Sequence, residues 1–98
     1  MPGLIKRNTK RLYAIYKKAG GYEADAREFE ELEQKGELIP GEIYVVENVS
    51  MSSSMTRIDL QGVSEKSLNS VAFKFFRMDD KKLVQHDIYK DPEYNPYI

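Results

Sequence analysis

The sequence contains no cysteine and no tryptophan, and it has a single histidine among 98 residues. Without cysteine there is no disulfide framework, no CxxC zinc ribbon and no thiol nucleophile, which excludes several secreted and redox classes of protein. No stretch approaches the ~20 apolar residues that a membrane span needs. The basic start, MPGLIKRNTKR, lacks the apolar core of a signal peptide. We therefore expect a soluble, cytoplasmic protein with no membrane contact.

Charges of both signs are present in nearly equal numbers, but they are segregated along the chain. Residues 1–18 carry six Lys or Arg and no acid, whereas residues 19–47 carry nine acids against two bases. A basic start can bind phosphate. The acidic block beside it would repel the same ligand, or it would neutralise the basic stretch within the fold, which is the interpretation that we favour.

The chain is long enough for one domain with a thin hydrophobic core. A hydrophobic fraction of 41%, with seven tyrosines and four phenylalanines, is typical of a folded protein. We predict a single domain over residues 1–98, with residues 1–10 as a flexible start and residues 91–98 as an extended C-terminal segment.

Apolar and polar residues alternate in three segments of the second half, EIYVVENV, MTRIDLQG and SVAFKFF, which predicts three strands. In the first segment Ile43, Val45 and Val49 share one face and Tyr44 and Val46 the other. In the second, Thr56, Ile58 and Leu60 share a face, and in the third Val71, Phe73 and Phe75 are expected to face the core. The serines of SMSSS predict a hairpin loop between the first two strands. With a last strand in LVQHDIY, these segments predict an antiparallel meander over residues 42–90.

The first half is less regular. RLYAIYKK fits a strand, with Leu12, Ala14 and Tyr16 on one face, and it also fits an amphipathic helix; the break at Gly20–Gly21 favours the strand. DAREFEELEQKG predicts a helix or helical insert over residues 25–35.

The ends of that helix have their own signals. Asp25 is the expected N-cap, and Gly36 stands just past the last turn. The predicted fold class is therefore α+β, mainly antiparallel β, with one short helix.

The residues for catalysis or metal binding are scarce. The histidine, His86, is followed by Asp87, which would point to the opposite side of a strand and could not orient the ring. One histidine and no cysteine leave only carboxylates as metal ligands, without the spacing of a calcium loop. We expect no enzyme activity, no metal and no cofactor.

Two polar clusters, the serines of MSSSM and the SLNS segment, have the composition of turns, where Asn and Ser bond the local backbone. We predict that these clusters lie at opposite ends of the strand that runs from Met55 to Leu60. The apolar end of DPEYNPYI, with Tyr94, Tyr97 and Ile98, either packs on the body of the protein or contacts a partner.

The order of motifs resembles that of a group of small proteins of unassigned function carried by phages, prophages and other mobile elements of Gram-positive bacteria. The matching positions are Gly41, Tyr44 and Val46, then Ser52 to Ser54, then Thr56 and Ile58, then Leu68, Asn69, Ser70, Val71 and Phe73. The resemblance implies a mainly β domain, a small SH3-like barrel or curled sheet, encoded by a mobile element. It also implies that the protein binds and redirects a host protein.

Our first hypothesis is a non-enzymatic binding protein, a phage or mobile-element accessory protein that occludes a host or defence protein, with a homodimer as a further arrangement. The residues proposed for its contact surface are Met51, Ser53, Arg57, Asn69, Ser70, Tyr94 and Tyr97. The alternative is an SH3-like barrel that binds nucleic acid, since KRLYAIYKK interleaves cations with rings that could stack on bases. The residues of this second surface are Lys10, Arg11, Tyr13, Tyr16 and Lys17.

Overall fold

The computed structural model describes residues 6–7, 11–18 and 23–98 of the chain. Seven strands and one α-helix lie in these ranges. In chain order they are β1 (Lys6–Arg7), β2 (Leu12–Tyr16), α1 (Glu23–Gln34), β3 (Ile43–Met51), β4 (Thr56–Leu60), β5 (Leu68–Asn69), β6 (Phe73–Asp79) and β7 (Lys82–Gln85). Two single-turn 3₁₀ helices follow β5 and β7, at Ser70–Ala72 and Ile88–Lys90.

All strand pairs are antiparallel, and the strands lie in the order β5-β4-β3-β2-β6-β7, with β1 also paired to β3. The mainly antiparallel sheet with a single short helix is confirmed for the described residues. The SH3-like barrel is not formed, because β5 and β7 lie at the two open ends of the sheet and each pairs with one described neighbour.

The strand around Phe73 does not follow the hairpin as the third strand of a meander. It is β6, and it pairs with β2 from Tyr16 opposite Phe73 to Leu12 opposite Arg77. The 3₁₀ helix Ser70–Ala72 separates it from β5 and carries the chain away from β4. Val71, predicted to face the core, lies in that helix and is 42% exposed.

A β-bulge in β3 changes which of its residues face the core. Val46 pairs with Leu60 and Asn48 with Asp59, so that one residue is added between the two pairs. The extra residue reverses the alternation, and Val46 and Val49 are both buried. The prediction that Ile43, Val45 and Val49 share one face is wrong for this reason.

The segment RLYAIYKK forms a strand rather than a helix. Leu12, Ala14 and Tyr16 of β2 are buried, whereas Tyr13 and Ile15 lie on the opposite side and are half-buried. The predicted strand is therefore confirmed, with Leu12, Ala14 and Tyr16 on one face as expected.

The helix α1 packs against the same side of the sheet. The ring of Phe29 lies 5.8 Å from that of Tyr16 and 6.0 Å from that of Phe73, measured between centroids. Burial of these rings against each other attaches the helix to the sheet.

The sequence predicted one end of α1 correctly and the other end incorrectly. The helix begins at Glu23, so Asp25 lies in its first turn and is not the N-cap. At the other end Gly36, at φ +76°, follows the last turn. The Glu37 N–H donates to the Leu32 carbonyl and the Gly36 N–H to that of Glu33, as in a Schellman motif.

No helix in the described part of the chain is long and apolar enough to cross a bilayer. The cytoplasmic location stays a prediction.

Candidate binding groove

The two polar clusters of the sequence lie beside each other, not at opposite ends of β4. In β5, Asn69 pairs with Arg57 and Leu68 with Ile58. Ser70 therefore comes level with the start of β4, next to the hairpin turn. The prediction of opposite ends was wrong because residues 61–67 carry the chain back along β4 before β5 forms.

Between these clusters and the C-terminal segment lies a groove of about 540 Å³. We call it the hairpin groove. The residues that line it are Met51, Ser52, Ser53, Ser54, Met55, Thr56, Asn69, Ser70, Val71, Tyr89, Asn95 and Tyr97.

The first wall is the turn between β3 and β4. The Ser52 N–H and the Ser52 hydroxyl both donate to the Met55 carbonyl, each at 2.9 Å. The Met55 N–H is in turn 3.1 Å from Ser52 Oγ. Ser53 and Ser54 are exposed at the tip. Ser52 therefore stabilises the shape of the turn, and the other two serines remain available to a ligand.

The floor is formed by Asn69 and Ser70, which are 3% and 1% exposed. Asn69 caps the 3₁₀ helix, because its Oδ1 accepts a hydrogen bond of 3.2 Å from the Val71 N–H. Its Nδ2 donates to Asp25 Oδ2 of α1 at 3.0 Å. Asn69 thus links the helix to the groove, and its role is structural.

The second wall is the C-terminal segment. The Ser70 hydroxyl lies 2.5 Å from the Tyr89 hydroxyl and ties this wall to the floor. Asn95 Nδ2 donates to the Tyr89 carbonyl at 2.7 Å, and Asn95 Oδ1 accepts from the Tyr97 N–H at 2.9 Å. These bonds hold the segment in place while the Tyr97 side chain stays 61% exposed.

A cluster of polar and charged residues behind this wall holds the segment against β6. We call it the Arg77 cluster; its members are Arg77, His86, Asp91, Glu93 and Tyr94. Arg77 Nη2 lies 3.5 Å from Asp91 Oδ2, 3.4 Å from Glu93 Oε1 and 2.9 Å from the Tyr94 hydroxyl. His86 Nε2 lies 2.7 Å from Asp91 Oδ2.

Two pKa values respond to this environment. Burial raises the pKa of Tyr94 to about 12. Burial would also raise the pKa of Asp91, but the Glu93 N–H, His86 and Arg77 outweigh it, and the net shift is downward. Asp91 is therefore stabilised as the carboxylate that holds the C-terminal segment.

The groove differs from the rest of the chain in its charge. None of its lining residues is Asp, Glu, Lys, Arg or His, although Asp, Glu, Lys and Arg make up 32% of the sequence. The lining offers hydroxyls and amides for hydrogen bonding, and methionine, valine and tyrosine side chains for apolar contact.

Most of the residues predicted for the contact surface meet in this groove: Met51, Ser53, Asn69, Ser70 and Tyr97. The other two lie elsewhere. Arg57 Nη1 pairs with Asp25 at 3.6 Å and donates to the Ser67 carbonyl at 3.2 Å. Tyr94 is only 5% exposed and belongs to the core. Neither of these two side chains lines the groove.

Seven residues of the lining were not in the predicted contact surface: Ser52, Ser54, Met55, Thr56, Val71, Tyr89 and Asn95. Val71 was assigned to a strand, but the cap at Asn69 starts a 3₁₀ turn that turns Val71 outward. Asp87 caps the second 3₁₀ helix in the same way, accepting from the Tyr89 N–H at 2.9 Å. In each case an Asn or Asp that caps a turn stands two residues before an exposed apolar or aromatic side chain. This pattern is the signal that could have identified Val71 and Tyr89.

The residues predicted for nucleic-acid binding do not form one surface. The Tyr16 ring is buried, and its hydroxyl donates to Glu33 Oε2 at 2.6 Å, so it cannot stack on a base. Tyr13 lies on the opposite side of β2, and Arg11 and Lys17 are exposed. Lys10 lies outside the described residues.

Among the described residues, no three His, Cys, Asp or Glu side chains are grouped so that they could hold a metal ion.

Comparison with known proteins gives one finding. No curated protein and no solved structure matches the chain significantly. A family model described as Bacteriophage T4 protein Y07B matches residues 11–98, a range that runs from β2 through the whole hairpin groove. This match confirms the resemblance to small phage proteins, while a Gram-positive origin stays a prediction. The chain belongs to the Bacteriophage T4 protein Y07B family.

Proposed function

We propose that the chain is a non-enzymatic phage accessory protein that binds a host or defence protein through the hairpin groove and acts by occluding it. The observation that carries the proposal is the groove lining, which is uncharged in a chain of 32% charged residues. Membership of a phage protein family supports the accessory role.

The lining has the composition of an interface core. Such cores are depleted of charge and enriched in tyrosine and methionine. Met51 and Met55 have flexible thioether side chains that adapt to a partner, and Tyr89 and Tyr97 combine apolar area with a hydroxyl. Tyr89 is 42% exposed and Tyr97 is 61% exposed, so both rings are accessible.

The same lining defines the chemistry of the occupant. A charged group would lose its hydration in the groove without a counter-ion, which is costly. A phosphate backbone would find no Lys or Arg in the lining. An uncharged peptide segment with one or two apolar side chains fits best, because the serine and asparagine side chains can bond its backbone.

The groove alone is smaller than a stable interface, in which each partner buries about 800 Å². Exposed apolar side chains extend the surface at its border. Ile98 is 67% exposed beside Tyr97, and Val71 is 42% exposed on the floor side. The partner is therefore expected to cover the C-terminal residues as well as the groove.

Charge introduced into the groove tests the proposal. Val71→Asp and Tyr97→Asp place a carboxylate on exposed lining residues, and Gln34→Asp places the same charge on the exposed end of α1 as a control. The tagged chain and the three variants are used to capture proteins from lysate of the phage host, followed by titration of the captured protein.

We expect each groove variant to bind the captured partner at least about tenfold more weakly than the wild type, since an unpaired charge would be buried. The control should bind as the wild type does. Equal binding by all variants, or no specific partner at micromolar protein, contradicts the proposal.

A further inference from the structure

The sheet has a second exposed surface on the side opposite α1. In β2 this side carries Tyr13 and Ile15, which alternate with the buried Leu12, Ala14 and Tyr16. The strand registers add their neighbours on β3 and β6. The residues of this surface, which we call the outer face, are Tyr13, Ile15, Ile43, Val45, Lys74 and Phe76.

None of these six residues belongs to the buried core. Ile43 is 51% exposed, Lys74 is exposed, and the other four are half-buried among their own neighbours. The outer face is thus an apolar sheet surface that no buried layer of described residues covers.

Two aromatic residues of the outer face, Tyr13 and Phe76, come from neighbouring strands. Tyr13 and Phe76 are direct register partners on β2 and β6, and such partners have Cβ atoms about 5 Å apart. Aromatic side chains on the open side of an antiparallel sheet are a surface on which single-stranded nucleic acids stack their bases.

Two lysines flank the residues of the outer face. Lys74 lies opposite Ile15, two residues from Phe76, and Lys17 follows Ile15 by two residues. Neither lysine forms an ion pair with a described side chain. No carboxylate is among the six residues of the outer face, whereas the chain as a whole carries a net charge of -1.

Arg11 is a different case. It borders a second cavity, whose lining also includes Asp79, Asp91 and Glu93. These carboxylates would offset its charge toward a phosphate, so we assign no contact to Arg11.

From these observations we propose that the outer face binds single-stranded nucleic acid, with two bases stacked on Tyr13 and Phe76 and the backbone phosphates contacted by Lys74 and Lys17. A second copy of the chain fits this face less well, because it would bring two sets of cations together without acids between them. The proposal uses none of the groove residues and does not rest on the proposed function.

Labelled single-stranded DNA, single-stranded RNA and duplex DNA of one sequence are titrated with the chain, with fluorescence anisotropy as the readout, at about 50 and 200 mM salt. Phe76→Leu and Tyr13→Leu keep an apolar side chain but remove the ring. Lys74→Gln removes the charge. Lys35→Gln, at the end of α1 and away from the outer face, is the matched control. Thermal unfolding of each variant checks that it is folded.

We expect single strands to bind more tightly than the duplex, with affinity falling as salt rises. Each ring variant should weaken binding about tenfold, which is the usual effect of losing one stacked base. Lys74→Gln should reduce the slope of affinity against salt by about one charge, and Lys35→Gln should change neither. The DNA and RNA arms show which sugar is preferred.

Several outcomes overturn the inference. One is the absence of binding to either single strand at the lower salt. Another is a loss of affinity that is the same for the ring variants as for Lys35→Gln. A third is a dimer in sedimentation that Phe76→Leu dissociates, because the face would then be an interface between two copies. Capture of a protein partner through the hairpin groove would neither support nor contradict this inference.

Discussion

The hydrogen bond between Ser70 and Tyr89 joins a fully buried residue to a half-exposed one. Ser70 is 1% exposed and Tyr89 is 42% exposed. The two hydroxyls lie 2.5 Å apart across the groove. Loss of either partner has unequal consequences, since water can reach the tyrosine but not the serine.

Tyr89→Phe should therefore cost more stability than Ser70→Ala. The first change leaves the buried Ser70 hydroxyl without this partner, and we expect a loss of about 1–3 kcal/mol. The second leaves the Tyr89 hydroxyl to solvent, and we expect about 0.5–1.5 kcal/mol. Urea unfolding of both variants and of the double variant measures the difference. A larger loss for Ser70→Ala would contradict the assignment of these roles.

Single residues also show why sequence reasoning found part of the groove and not all of it. Asn69 and Ser70 were recognisable as turn residues, and Tyr97 as an apolar residue in a polar tail. Tyr94 looks the same in sequence but is buried, because Arg77 lies in phase with Phe73 and Phe75 on the core side of β6 and places its guanidinium 5.4 Å from the Tyr94 ring. That interaction depends on a long-range contact that a local pattern does not contain.

Among the elements, the C-terminal segment is attached by charge, whereas the hairpin turn is attached by backbone pairing. Asp91 is the acid that contacts both Arg77 and His86. Because the net effect of its surroundings lowers the pKa of Asp91, the folded protein holds the charged form more tightly than the unfolded chain does. The stability from this carboxylate is therefore present above its unfolded pKa of about 3.9 and is lost as pH falls through the lower folded value.

Asp91→Asn should remove the stability that the ionised carboxylate contributes. We expect the variant to be less stable than the wild type by about 1–3 kcal/mol at neutral pH. The difference should shrink below about pH 4, where the wild-type carboxylate becomes protonated. Chemical denaturation of both proteins at a series of pH values measures it.

Glu28 provides an internal comparison for this pH series. Burial, and then the charges of Glu65 and Asp25, raise its pKa, so its protonation on acidification favours the folded state and has the opposite sign. Glu28→Gln should therefore not reproduce the effect of Asp91→Asn. A constant difference between wild type and Asp91→Asn across the whole range would contradict the role of Asp91.

The end of α1 allows a test of local conformation alone. A Cβ at Gly36 would meet no atom within 4 Å, so substitution is limited by the φ of +76° and not by space. We expect Gly36→Ala to destabilise the protein by about 1 kcal/mol and Gly36→Asn by less, since asparagine tolerates the left-handed region better. Thermal unfolding of the two variants checks the order, and equal stability of Gly36→Ala and wild type would argue against the Schellman end.

For the individual elements, the alternation of apolar and polar residues predicted the positions of the strands better than it predicted which strands pair. β2, β3 and β4 follow the predicted segments, and the helix follows its Gly36 signal. The pairing of β6 with β2 was not predicted, because a strand pattern carries no information about its partner. The bulge at Val46/Asn48 was missed for a similar reason, since an extra residue within a run of β-branched residues leaves the composition unchanged.

At the scale of the whole molecule, the chain carries two surfaces of different chemistry. The hairpin groove is uncharged and lies between the β3–β4 turn and the C-terminal segment. The outer face combines two aromatic rings with Lys74 on the side opposite α1. The family match from residue 11 onward includes both surfaces.

Hydrogen exchange of the chain, alone and bound to the partner captured in lysate, tests the central claim most directly. If the hairpin groove is the binding surface, amide exchange should slow in residues 51–56, 69–71 and 88–97 and stay unchanged in residues 26–34 of α1. Protection confined to α1, or to the outer-face strands with the groove unchanged, would contradict the account.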